Sequence, residues 1–103
     1  MKKQYANTDF NPDWTSAPGD TIQEWLEEMG LSQGWLAKKC RRPVEQVSRL
    51  IRGRIRLTER WAIELGKATT VPAEFWAVRE AQHRLGLALG RKRIRTLAAK
   101  AKP

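Results

Sequence analysis

The segment SQGWLAKKCRRPVEQVSRLIRG, residues 32–53, has the pattern of two short helices joined by a tight turn. The first runs from its capping residue Ser32 to Lys39, and the second runs from Pro43 to Arg52. A serine before a helix accepts a hydrogen bond from a free amide of the first turn, and proline suits the first turn because it has no N–H to satisfy. The segment therefore predicts a helix-turn-helix.

Apolar residues at helical spacing predict three further helices around this pair. Asp20 is expected to cap the first of them, and Gly30 is expected to end it. Thr58 is expected to cap the fourth helix, and Pro72 to start the fifth. The buried stripe of the first helix is expected to comprise Ile22, Trp25, Leu26 and Met29.

The chain of 103 residues predicts one all-α domain with two tails. Residues 1–19 are interpreted as a flexible arm, residues 20–90 as the domain, and residues 91–103 as a basic tail. Trp14 is unusual for a flexible arm, so it either pins the arm to the domain or contacts a partner.

The net charge of +9 and the pI of about 10.5 point to an anionic partner, nucleic acid first and a membrane surface second. The charge is uneven along the chain. Residues 1–30 hold two lysines against six acidic residues, whereas residues 31–103 hold 18 Lys/Arg against five glutamates. Such a division suggests two surfaces with different partners.

The sequence gives little support to an enzyme, a metal site or a membrane protein. A single cysteine, Cys40, excludes an internal disulfide and a multi-cysteine metal site, and it favours a reduced, cytoplasmic setting. The lone histidine, His83, is far from Cys40 in sequence and is expected to be partly exposed on the fifth helix. We therefore expect no catalytic residue, no cofactor and no metal, and no apolar run is long enough to span a membrane.

Three stretches carry motifs of a known family: LSQGWLAKKCRRPVEQVSRLIRGRIRLTERWAIELGKA, APGDTIQEWLEEMGLSQ and AEFW. The first resembles the helix-turn-helix of the Xre, or lambda-repressor-like, family. The second resembles the opening of the HigA-type antitoxin domain in that family, and the third resembles its fifth-helix signature. Arg41 stands where the family usually has a turn glycine, and the residues around Arg42–Pro43 and at Thr69–Thr70 also depart from the pattern.

The resemblance implies a five-helix domain that binds a palindromic operator as a homodimer. It also implies repression of its own operon, which would encode an mRNA-cleaving toxin. A solitary or phage-encoded regulator without a toxin is the alternative. The protein would act in the cytoplasm, on the nucleoid.

The family's recognition positions fall on the helix that starts near Pro43, and an α-helix fits the major groove, where every base pair presents a distinct edge. Arg49 can bond guanine, and Gln46 can bond adenine. Glu45 can accept from cytosine or simply favour the helix dipole. The base-reading candidates are Val44, Glu45, Gln46, Ser48 and Arg49.

Basic residues flank this helix in the turn before it and in the loop after it, where a helix-turn-helix usually faces the DNA backbone. Each phosphate contact would release about one counterion, so binding should weaken with salt. Individually, each could also be a solvated surface residue. The phosphate-contacting candidates are Gln33, Arg41, Arg42, Arg52, Arg54 and Arg56.

Two further surfaces are expected to contact proteins. On the fifth helix, Phe75, Val78, Gln82, Leu85 and Leu89 form a seam that either packs on a sister chain or covers the domain's own core. The acidic N-terminal third would complement a basic RNase toxin, or it is a solvated helix face. The toxin-binding candidates are Trp14, Glu24, Glu27 and Glu28.

Overall fold

The computed structural model describes residues 14–94, and their side chains from Thr15 to Arg93. These residues form five helices and one small sheet, which confirms the all-α fold class. The helices are α1 (Pro18–Met29), α2 (Gln33–Cys40), α3 (Val44–Ile51), α4 (Glu59–Ala68) and α5 (Ala73–Ala88), and the strands are β1 (Trp14–Ser16) and β2 (Lys92–Ile94).

The predicted caps of α2 and α4 are confirmed. The Ser32 hydroxyl accepts from the amide of Trp35 at 3.0 Å, and the Thr58 hydroxyl accepts from the amide of Trp61 at 3.2 Å. The predicted cap of α1 was wrong, because the capping position is Ala17, three residues earlier, and Asp20 lies inside the first turn of the helix. A carboxylate there still favours the helix dipole, which explains why the sequence pattern misplaced the start.

Two prolines, Pro43 and Pro72, were expected to be the first residues of their helices. Each is instead the residue just before its helix, with extended backbone, so α3 starts at Val44 and α5 at Ala73. The difference is one residue at the start of each helix.

The core lies between α1, α2, α3, α4 and one face of α5. Met29 was expected in it, but its side chain is 53% exposed. Gly30 adopts a left-handed conformation that turns the chain, and the amide of Leu31 donates to the carbonyl of Leu26 at 2.8 Å. Leu31 therefore packs against the core in place of Met29. The largest fully buried side chains among residues 15–93 are those of Trp76, Ile22, Leu26, Leu36, Leu50, Leu65 and Val47.

The end of the predicted arm and the start of the predicted tail pair with each other. β1 and β2 run parallel, with Trp14 opposite Lys92 and Ser16 opposite Ile94. The Arg79 guanidinium on α5 binds the segment after β1, donating to the Ser16 and Ala17 carbonyls at 3.1–3.3 Å. The boundaries at residues 19 and 91 thus fall within ordered structure, which a composition-based reading of the tails could not show.

His83 is buried, so the expectation of a partly exposed histidine was wrong. Its ring Nδ1 lies 3.3 Å from the Thr15 hydroxyl, because β1 crosses α5 at this point. Gly86 permits the crossing, since a Cβ there would lie 2.9 Å from the Thr15 side chain. Burial and the positive charge of Arg84 lower the pKa of His83, while Glu80 opposes this shift. The histidine is therefore part of the packing between β1 and α5.

Candidate nucleic-acid interface

The second helix of the helix-turn-helix, α3, has one buried face and one open face. Val47, Leu50 and Ile51 are 0%, 2% and 8% exposed, and they form the face that packs on the core. On the other side Glu45 and Arg49, one turn apart, are both exposed. The remaining base-reading candidates divide, since Val44 is exposed whereas Gln46 and Ser48 are half-buried.

The turn between α2 and α3 is held by a residue in the left-handed conformation. Arg41 has φ 56° and ψ 47°, and its amide donates to the carbonyl of Lys38 at 3.2 Å. Left-handed backbone costs a non-glycine residue roughly 1–2 kcal/mol. The turn therefore keeps the geometry that glycine would give, while an exposed guanidinium is placed beside α3.

Arg42 is bound within the fold. Its guanidinium donates to both carboxylate oxygens of Glu64, from Nε at 2.7 Å and from Nη2 at 3.2 Å. It also lies over the Trp61 ring, 4.2 Å from the ring centroid, and its side chain is only 22% exposed. Because its charge is paired with Glu64, Arg42 fixes the turn to α4, and its charge is less available to a phosphate than that of Arg41.

Gln46 joins the same network. Its amide oxygen accepts from Nη1 of Arg42 at 3.2 Å. With the oxygen engaged in this way, the amide N–H₂ group of Gln46 is the part best placed to contact another molecule. The bidentate contact that a glutamine makes to adenine uses the oxygen as well as the nitrogen. We therefore expect Gln46 to act as a hydrogen-bond donor.

The remaining phosphate-contacting candidates differ in their surroundings. Arg52 and Arg54 are exposed beside the left-handed Gly53, and their amides close the end of α3. Arg56 is 68% exposed, with Nε 3.6 Å from the Glu80 carboxylate. Gln33, at the start of α2, is half-buried and donates to the Gln23 side chain at 3.2 Å.

Arg93 lies at the end of α3, and sequence reasoning missed it. Its Nη2 donates to the Arg52 carbonyl at 3.3 Å and lies 3.9 Å from the Asp20 carboxylate. It reaches this position because β2 pairs with β1, a contact between residues more than 70 positions apart. Only the basic composition of the tail pointed towards it in the sequence.

Replacing Glu64 by glutamine is expected to lower the free energy of unfolding at neutral pH by about 1–3 kcal/mol, because Arg42 loses a charged, half-buried partner. The hydrogen bond from Arg42 lowers the pKa of Glu64 below its ordinary value. This contribution is therefore present above the pKa of the unfolded chain, and it is lost as the pH falls through the lower pKa of the folded state.

Urea unfolding of the wild type and the Glu64→Gln variant between about pH 7 and pH 3 measures both effects. The difference in stability between them should shrink towards pH 3. Glu28→Gln, at an exposed position on α1, is the matched control and should follow the wild type. An equal difference at all pH values would contradict the role of the ion pair.

The surfaces assigned to protein partners are open in part. On α1, Glu27 and Glu28 are exposed, and Glu24 is half-buried. The side chain of the fourth toxin-binding candidate, Trp14, lies outside the described residues. The seam predicted to pack on a sister chain is exposed, since Phe75 is 41%, Val78 52%, Leu85 59% and Leu89 61% accessible, and Gln82 is exposed as well.

The core therefore does not need this seam, and the alternative that it covers the domain's own core was wrong. The face of α5 that packs inward carries Trp76, Glu80, His83 and Gly86. Sequence spacing alone favoured the seam because its apolar residues repeat more regularly than those of the buried face.

Within residues 14–94, no group of three or more His, Cys, Asp or Glu side chains could hold a metal ion. Over the same residues, no helix has the length and apolar character needed to cross a membrane. Cys40 is buried, and burial raises the pKa of its thiol, so the reactive thiolate is disfavoured.

The fold is similar to that of three solved structures. Pseudomonas aeruginosa antitoxin HigA with the higBA promoter has 26% sequence identity and a TM-score of 0.66, covering 70% of this chain and 79% of that one. An addiction module antidote protein of a HigA family from Coxiella burnetii has 26% identity and a TM-score of 0.64, with the same coverage. A hypothetical protein from E. coli has 29% identity and a TM-score of 0.64, covering 84% of this chain and 96% of that one. No protein-family model and no curated protein matches the chain.

Proposed function

We propose that this protein is a HigA-type antitoxin, a sequence-specific DNA-binding repressor that acts on its own operon in the cytoplasm, at the nucleoid. The observation that carries the proposal is α3, which is held to the core by one face and is open and polar on the other. The similarity to two HigA antitoxins, one of them solved with promoter DNA, supports it.

On this proposal, α3 enters the major groove of the operator. Arg49 and Glu45 face the base edges, and Gln46 presents its amide N–H₂ group to a base acceptor. Arg41, Arg52 and Arg54 lie at the two ends of α3, where they contact phosphates and fix its register. Arg42 supports the turn through Glu64 and so keeps α3 at the angle that the groove requires.

Footprinting of the protein on its own promoter tests the proposal. We expect two protected half-sites whose centres lie roughly one helical turn, about 34–36 Å, apart. Random duplex should compete poorly at physiological salt. Equal affinity for promoter and random DNA would show that the protein does not recognise a sequence.

The proposed operator-binding species is a homodimer that associates through the exposed seam of α5. Its four apolar residues, each at least 41% exposed, form an apolar surface that a sister chain can cover. Leu85→Glu places a charge in this surface, and we expect the variant to be monomeric by light scattering. Because each monomer would bind a half-site alone, its operator affinity should fall at least tenfold.

Ile63→Glu is the matched control, because Ile63 is also 50% exposed but lies on α4, outside the seam. We expect this variant to remain dimeric. A monomeric wild type, or a Leu85→Glu variant that remains dimeric, would contradict the use of α5.

The proposed protein partner is a basic, mRNA-cleaving toxin of the HigB type, bound by the acidic side of α1. The exposed Glu27 and Glu28 carry the negative charge that such a partner complements. A short neighbouring gene for a basic protein is the expected genomic context. Without one, the solitary or phage-encoded regulator becomes the better interpretation.

A rescue assay tests the α1 surface directly. Charge reversal at Glu27 and Glu28 to lysine should abolish protection of cells that express the toxin. Glu74→Lys, an exposed position on α5, should still protect. Full protection by the α1 variant would show that the toxin does not bind through Glu27 and Glu28.

A further inference from the structure

A concave surface beside α3 is unusually rich in positive charge. It lies between the end of α2, the start of α3 and the outer side of α4, and it encloses about 810 Å³. We call it the basic bowl and define it by its charged residues: Lys39, Arg41, Arg42, Arg60, Glu64 and Lys67. Only one of these six is acidic.

The single acid does not neutralise the bowl. Both oxygens of Glu64 accept from Arg42, and Arg60 lies 3.5 Å from one of them with its side chain 82% exposed. One carboxylate faces two guanidinium groups here, so it cannot neutralise both of them. Lys39, Arg41 and Lys67 are exposed, and they leave the bowl with a clear excess of positive charge.

Like charges that share one concavity repel, and the potential of a lined cleft is stronger than that of a flat surface. An anion placed in the bowl relieves this repulsion. Three of its charged groups can donate hydrogen bonds and contain no acceptor atom. They are the ammonium groups of Lys39 and Lys67 and the guanidinium of Arg41. The chemistry of the bowl is therefore that of a site for phosphate groups.

The position of the bowl indicates which phosphates these are. Arg41 and Gln46, which line it, also belong to the turn and the first part of α3. The bowl is thus continuous with the start of the helix proposed to enter the major groove. A DNA strand that borders that groove passes next to the start of α3 and can lay its backbone along the bowl.

We propose that the basic bowl binds the phosphodiester backbone of DNA, so that Arg60 and Lys67 of α4 and Lys39 of α2 add phosphate contacts beyond those of the residues that flank α3. The inference rests on the proposed DNA-binding function and extends its contact surface to the outer side of α4. Sequence reasoning did not assign these three residues to DNA, because they are separated along the chain and only the packing of α2 against α4 brings them together.

The salt dependence of binding tests this inference. Each phosphate contact contributes about 0.9 to the slope of log K against log salt concentration on B-DNA. Lys67→Ala should lower the slope by about that amount on operator and random duplex alike, and Arg60→Ala combined with Lys67→Ala should lower it by about twice as much. Both side chains are exposed, so the variants should unfold at the wild-type temperature.

Two control variants make the outcome decisive. Lys92→Ala removes an exposed lysine from β2, outside the bowl, and should leave the slope unchanged. Arg54→Ala removes an arginine after α3 and should lower the slope whether or not the bowl takes part. An unchanged slope in Lys67→Ala, together with a lowered slope in Arg54→Ala, would contradict phosphate binding by the basic bowl. It would leave the proposed DNA binding through α3 intact. A wild type whose binding to duplex does not depend on salt would instead overturn the proposed function.

Discussion

Gly19→Ala is expected to lower the free energy of unfolding by about 1–3 kcal/mol, the usual cost of overpacking. Gly19 is buried in the first turn of α1, against the end of α3. A Cβ at this position would overlap the Ile51 carbonyl oxygen and would lie 2.6 Å from that of Leu50. Both obstacles are backbone atoms, so α1 and α3 would have to move apart.

Gly34→Ala is the matched control, because it makes the same change inside α2, where the new Cβ would meet only the Ser32 hydroxyl at 3.6 Å. Alanine is the better helix former by about 1 kcal/mol, so this variant should be as stable as the wild type or more stable. Urea unfolding of the three proteins measures the difference. Equal stability of the two variants would show that α1 and α3 do not approach each other as closely as the structure indicates.

The Gly19 variant should also bind DNA less well, since α3 is one of the two helices that must shift. Where it remains folded, we expect weaker discrimination between operator and random DNA. This result would show that the packing of the first turn of α1 affects the recognition surface, although Gly19 itself does not face that surface.

Arg49→Ala is expected to remove about 1–3 kcal/mol of discrimination at one base pair of each half-site, which corresponds to a change of about 5- to 150-fold. Arg49 is exposed on the open side of α3, opposite the buried Val47 and Leu50. A guanidinium in this position can give two parallel hydrogen bonds to guanine, and alanine can give none. Competition between the operator and duplexes substituted at single base pairs measures the loss.

Arg54→Ala supplies the contrast, because Arg54 lies beyond α3 and is proposed to contact phosphate. It should weaken binding to operator and random DNA alike and reduce the salt slope, without changing the preferred sequence. If Arg49→Ala left the affinities for both kinds of DNA unchanged, the assignment of α3 as the recognition helix would be wrong.

The five helices could be predicted because each is specified locally. Ser32 and Thr58 cap α2 and α4, and the inward spacing of Val47, Leu50 and Ile51 fixes the orientation of α3. These signals depend on neighbours within one or two turns. For the same reason the errors were small where a local signal was ambiguous, as at the start of α1 and at the two prolines.

The candidate site was only partly predictable. Sequence placed Arg41 and Arg42 together as phosphate contacts, yet the structure leaves Arg41 exposed and pairs Arg42 with Glu64, 22 residues away. Neighbouring residues of one type received one role because nothing local distinguishes them. Their surroundings differ because the two side chains extend from different sides of the turn, and only that of Arg42 reaches Glu64.

The sequence by itself determined the helices, the turn and the positive charge around α3, since all three follow from local pattern and composition. Only the tertiary structure decided how the charges are used. Packing of α4 against α2 gives Arg42 a partner and gathers Lys39 and Lys67 into one bowl, and pairing of β1 with β2 brings Arg93 to the end of α3. The reason is physical: an electrostatic or hydrogen-bonding role depends on distances of a few ångströms between residues far apart in the chain, and those distances are set by packing of the core.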